Sequence, residues 1–238
     1  MPAAQADLLH MAWPQPLRLA SWGTAVGRGL VPLDAAIDAA GLPGVTLELG
    51  RVINSGRPLV GLLAEPGAAP PVGLPAEIVT AAVLAGGLTL SLGAPGVAIV
   101  ASTPPPTVHL WELPELTTPP AESLGTAERH LLESVNAAAT AIFELGVSNP
   151  DPEARAVLSR LPGLLDANPM PAGTSGRARL LRDRAATLLV GIELALHPTR
   201  EAPSQALDDA RRAVLVRARL AGRAALQAAS NEAALGAN

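Results

Sequence analysis

Beyond the proline-rich stretch LPELTTPPAES (residues 113–123), apolar residues recur every three or four positions almost to the C-terminus. That period makes one apolar stripe per helix and leaves no room for strands. Leu131, Leu132, Val135, Ala138, Ala139, Ile142 and Phe143 form the first such stripe, opened near Thr126 and closed by Gly146. Asp151, Pro152 and Glu153 supply a cap, a first-turn proline and a first-turn acid for a second helix that ends within 162–168. A third is expected over about 175–196, stopped by Pro198, and a fourth from Ser204 to about Ala234. Helices of unequal length joined by short loops predict a four-helix bundle over 121–238.

The preceding 120 residues have another texture. Short helices broken by Pro14, Pro16 and Gly29 come first, then a helix from Pro32 to Gly41. VTLELG, PLVGLL, GLTLSLG, GVAIVAS and TVHLWEL read as strands separated by Gly and Pro, with PAEIVTAAVLAG a short helix among them. Leu88–Leu92 alternates as a strand with one buried face should, and NSGRP reads as a hairpin turn between VTLELGRVI and PLVGLLAEP. The expected fold is therefore α+β: short helices and a small, mostly antiparallel sheet over 1–120, then the bundle, the two packing together to cover the sheet.

Composition removes whole classes of chemistry. The chain has no cysteine, which excludes disulfides, thiolate metal sites and cysteine nucleophiles. All 17 basic residues are arginine, so lysine Schiff bases and the phosphate-loop lysine are excluded too, and there is no tyrosine. No Gly-x-Ser-x-Gly elbow occurs; INSGR around Ser55 lacks the first glycine. Residues 78–108 carry no charge, but Gly86, Gly87, Gly93, Pro95 and Gly96 break the run, so no membrane span is expected. The N-terminus has no basic residue ahead of its apolar part and does not read as a secretion signal, which makes the cytoplasm the expected compartment.

Three ligand readings deserve residues. AGTSGRARLLRDRAA, from Ala172, offers a glycine-rich turn before a helix and the arginines Arg177, Arg179, Arg182 and Arg184. A helix, not a strand, precedes the turn, and its spacing fits no phosphate loop. Ser175 or Thr174 as an N-cap, with solvated arginines, accounts for it. Arg212, Arg219 and Arg223 share one face of the last helix and extend a basic stripe for an anion. Nucleic acid is not expected, since net charge is −4 and no aromatic residues interleave. A small-ligand pocket between sheet and bundle would use Arg57, His109 and Trp111.

No metal site is expected. His109 and Glu112 fall on opposite faces of a strand. His130 and Glu133 share a helical face but lack the further motifs a di-iron bundle needs, and His197 suits a helix C-terminus. No cofactor is implied.

PPVGLPAEIVTAAVLAGG (70–87), IFELGVSNPDPEARAVLSRL, the MPAGTSGRARLLRDRAATLLVGIELAL helix and the closing RRAVLVRARLAGRAALQAASNEA resemble a family of uncharacterised proteins from GC-rich bacteria. The resemblance supports the element boundaries and implies no activity. The leading expectation is a non-enzymatic, dimeric interaction or scaffold protein, because long alanine-rich helices with wide apolar stripes favour self-association.

Overall fold

The computed structural model describes residues 3–42, 47–65, 73–102, 107–116, 122–145, 152–196 and 205–236. Its elements run α1 (Ala3–Ala12), α2 (Gln15–Gly27), α3 (Leu33–Ala40), α4 (Leu47–Asn54), β1 (Leu59–Leu63), α5 (Ala76–Ala85), β2 (Gly87–Ser91), β3 (Gly96–Ser102) and β4 (Thr107–Leu113). Four long helices follow: α6 (Leu124–Glu144), α7 (Pro152–Ala167), α8 (Gly176–Leu196) and α9 (Gln205–Leu235). The chain is of the α+β class.

The contacts form two compact units, each discontinuous in sequence. One comprises Met1–Ala12, Glu122–Asn168 and Leu180–Ala228; the other comprises Trp13–Ala121, Pro169–Arg179 and Ala229–Asn238. In the helical unit, α1 lies against α7, and Ala12, Leu161, Leu165, Ala186 and Val190 share one small core. Ala138, Ile192, Leu215 and Ala218 bring α6, α8 and α9 into a second. Alanine at these positions lets helices approach closely, which suits a chain with few large aromatics.

In the other unit the sheet is an antiparallel meander in the order β1-β2-β3-β4. One face carries Leu59, Val97 and Ile99 against Leu19, Ile37, Leu49 and Ile53 of α2, α3 and α4. The other carries Val60, Leu90, Ala98 and Val100 against Ile78 and Ala82 of α5, with Ala234 from the end of α9. At Gly61 the backbone of α2 lies close over β1. A Cβ there would lie 2.8 Å from the Pro16 carbonyl oxygen and 3.0 Å from Leu17 Cα, backbone atoms that cannot yield.

Three expectations are corrected. VTLELG is not a strand: Leu47–Asn54 is helix α4. The alternation Leu47, Leu49 suggested period two, but Leu49 and Ile53, four apart, both bury completely, and the helical spacing wins. Residues 45–46 of that stretch lie outside the described residues. NSGRP consequently follows a helix and is not a hairpin turn, and β1 pairs with β2 instead. Finally, β2 does not have one solvated face. Thr89 and Ser91 are buried, and Thr89 Oγ1 donates to the Pro16 carbonyl at 2.9 Å, so α2 covers the polar side.

Candidate functional site

The start of α8 is built to hold an anion, and the chain supplies that anion itself. Ser175 precedes the helix, and its hydroxyl oxygen accepts the Ala178 backbone N–H at 3.1 Å, the ordinary N-cap bond. The same hydroxyl donates to Glu232 Oε1 at 2.6 Å, while the Ser175 N–H donates to Oε2 at 3.1 Å. The Glu232 carboxylate thus occupies the position that an external phosphate would need, with the favourable sign for a helix N-terminus.

The arginines after it divide. Arg177 and Arg179 are exposed. Arg184 pairs with Glu128 at 3.3 Å. Arg182, expected to be solvated, is buried: Nη1 donates to the Asn168 carbonyl at 2.9 Å near the end of α7, and Asp183 pairs with it at 2.7 Å. On α9, Arg212 reaches Asp208 at 3.7 Å and Arg219 reaches Glu193 at 3.3 Å, both surface pairs; Arg223 is half-buried. Arg211 donates to the Ala195 carbonyl and lies 3.7 Å from Asp208. Such pairs contribute little stability, but each cancels charge that a basic stripe would need.

The structure gives Arg57, His109 and Trp111 distinct places. Arg57 donates to the Pro95 carbonyl and, at 3.2 Å, to that of Ala94, clasping the turn between β2 and β3. His109 and Trp111 lie on one face of β4 with ring centroids 5.7 Å apart. His130 Nδ1 meets Glu122 at 3.1 Å, and His197 lies outside the described residues. Among the described residues, no three His, Asp or Glu side chains gather as a metal site would require. No helix of the described residues is long and apolar enough to cross a membrane.

Two constellations escaped the sequence reading. The first is SNEA, at the end of α9. Ser230 Oγ accepts the Trp13 indole N–H at 3.1 Å. The Asn231 amide bonds both backbone groups of Gly61 at 2.8 Å. Glu232 caps α8, and the Ala233 carbonyl accepts from Arg28. Four consecutive residues therefore each tie down a different segment of the sheet-containing unit. The only signal was a pair of polar residues, Ser230 and Asn231, where the helix is otherwise alanine.

The second is Arg18. It sits in LRLASW, an isolated charge in an apolar run, and only 8% of it is exposed. Its Nη1 donates to the Ala39 carbonyl at 2.9 Å in the last turn of α3. The helix then turns away at Gly41, whose φ of 68° is left-handed and whose missing Cβ would stand 3.4 Å from Nη1. Burial lowers the Arg18 pKa to about 10, which leaves it charged at neutral pH. Among the described residues its Nε has no hydrogen-bond partner, nor has the buried Nε1 of Trp22.

No curated protein and no solved structure matches this chain. One family model does, and its limits follow the helices: it begins just inside α6 and stops before the SNEA end of α9. Over residues 125–227, less than half its length, the chain is similar to the family described as the Rv1486c-like protein, C-terminal domain.

Proposed function

We propose that this chain is a non-enzymatic, cytoplasmic interaction or scaffold protein that works as a homodimer, with the outer face of α6 meeting its counterpart on a second copy. The observation that carries the proposal is that one flank of the wide apolar stripe on that helix is left uncovered. Leu131 and Ala138 face inward and are buried. Leu132, Val135, Ala139 and Phe143 recur on the adjoining flank, about 100° round the helix, and stay exposed, Leu132 at 62% and Phe143, the chain's single phenylalanine, at 80%. A solvated helix face has no use for four apolar residues in register, and a lone aromatic at such a face is a typical anchor.

A second copy fits this face because a contact across a twofold axis covers the same apolar residues on both chains at once. The acid partners of Arg184, Arg212 and Arg219 support a protein-binding role over a nucleic-acid one. The arginine-only basic composition supports an origin in a GC-rich bacterium.

Light scattering tests this reading. At about 100 µM, far above a micromolar dissociation constant, the native chain should show twice its 24.1 kDa mass. Phe143→Glu should return it to 24.1 kDa with unchanged helical content. A monomeric native chain, or a variant that still dimerises, would sink the proposal.

A further inference from the structure

Gln15, Arg18 and Trp22 lie three, four and seven residues apart on α2, a spacing that sets them on one face of the helix. All three present N–H donors. Gln15 Nε2 makes only a long bond, 3.4 Å, to the Gly41 carbonyl. Arg18 is anchored by Nη1 to Ala39, which fixes the guanidinium plane and leaves the opposite edge, Nε with Nη2, as a ready fork. The donor on that edge, Nε, is buried without an acceptor, and so is the indole N–H one turn further on. Among the described residues no ion pair neutralises Arg18, and the acceptor it has there is a neutral carbonyl. A buried cation so placed has lost its hydration without gaining a counter-charge, an arrangement that proteins rarely keep without a reason.

We propose that Arg18 and Trp22 form a binding site for an oxyanion, a carboxylate or a phosphate- or sulfate-like group. The Nε–Nη2 edge of Arg18 takes two of its oxygens, and the Trp22 indole N–H donates a further hydrogen bond. The chemistry selects the class. Donors without acceptors call for a ligand that is all acceptor, and a buried positive charge calls for a negative one. Gly41 borders the guanidinium: a Cβ there would stand in ordinary contact with its terminal nitrogens, at 3.4 and 3.5 Å, and it is the φ of 68° that calls for glycine. The site lies wholly within the sheet-containing unit and does not depend on dimerisation.

The test follows the two orphan donors directly. The uniformly 15N-labelled full chain is titrated with sodium sulfate at constant ionic strength, and the arginine Nε–H and tryptophan indole N–H signals are recorded. With three tryptophans, the indole signals are assignable by single Trp→Phe changes. The Arg18 and Trp22 signals should shift together and saturate with a midpoint on the order of 10 mM or below, while those of Trp13 and Trp111 hold still. In Arg18→Met the Trp22 shift should vanish. Should that variant fail to fold, Trp22→Phe should raise the midpoint of the Arg18 shift about tenfold, the loss of one charge-assisted hydrogen bond. Repeating the titration with acetate separates the sources, since the tighter of the two anions reports a tetrahedral or a planar ligand. No saturable shift with either anion up to about 50 mM, a concentration that fills any site of useful affinity, would overturn the proposal. So would equal shifts of every arginine and tryptophan.

Discussion

Replacing Asn231 by leucine is expected to cost about 2–6 kcal/mol, because it orphans two buried backbone groups at once. β1 is an edge strand, and the side of Gly61 not paired with β2 would expose its N–H and C=O inside the fold. The Asn231 amide supplies the acceptor and the donor that a further strand would have given, each at 2.8 Å. Leucine has similar volume and neither group. The melting temperature should fall on the order of 10 °C, given about 2–4 °C per kcal/mol for a chain of this size. Asn231→Asp keeps the acceptor but sets an oxygen against the Gly61 carbonyl, so it should be no better tolerated. Thermal unfolding followed by circular dichroism checks both. A leucine variant within about 2 °C of the native protein would show that the amide is dispensable.

Trp13→Ala should cost about 3–5 kcal/mol, the range for deleting a buried aromatic side chain. Trp13 is 1% exposed and is the largest fully buried side chain. Its indole N–H is also spent on Ser230, so the substitution leaves both a cavity and an unanswered hydroxyl. Trp13→Phe separates the two effects. It fills most of the volume, leaving a small void beside the unanswered hydroxyl, and should cost about 1–3 kcal/mol, less than the alanine variant. Denaturant midpoints at equal slope give the comparison. If the two variants are equally destabilised, the hydrogen bond rather than the packed ring holds the N-terminal segment, contrary to this account.

Local signals in the sequence carried most of the elements, and pairing over long distance carried most of what was missed. Pro32 and Gly41 bound α3 because a rigid φ suits its start and a left-handed residue its end. Ser175 caps α8 as its hydroxyl predicts. All four strands of the sheet fall within apolar runs marked by Gly and Pro. The errors share one cause: a short window does not reveal what covers it. Leu47-Glu48-Leu49 alternates like a strand until Ile53 is counted, and Thr89 and Ser91 look solvated until α2 is laid over them. The SNEA residues read locally as plain helix, since nothing nearby says that Asn231 meets Gly61, 170 positions away. The arginines of AGTSGRARLLRDRAA drew attention to α8, yet the group at its N-terminus is Glu232, and the buried cation with a free donor is Arg18. Composition could not separate these, because charge in a sequence does not record burial.

The claim that α6 pairs with a second copy of itself is tested most directly by a cross-link at that helix, and the absence of cysteine makes one introduced thiol unambiguous. Ala139→Cys lies in the middle of the exposed stripe, and Glu77→Cys on α5 is an exposed control. A bismaleimide spanning about 10 Å, comparable with the distance between packed helix axes, is added to each. The account predicts a covalent species of twice the 24.1 kDa chain from Ala139→Cys and none from Glu77→Cys. An Ala139→Cys chain that stays at 24.1 kDa, or two variants that cross-link alike, would contradict it.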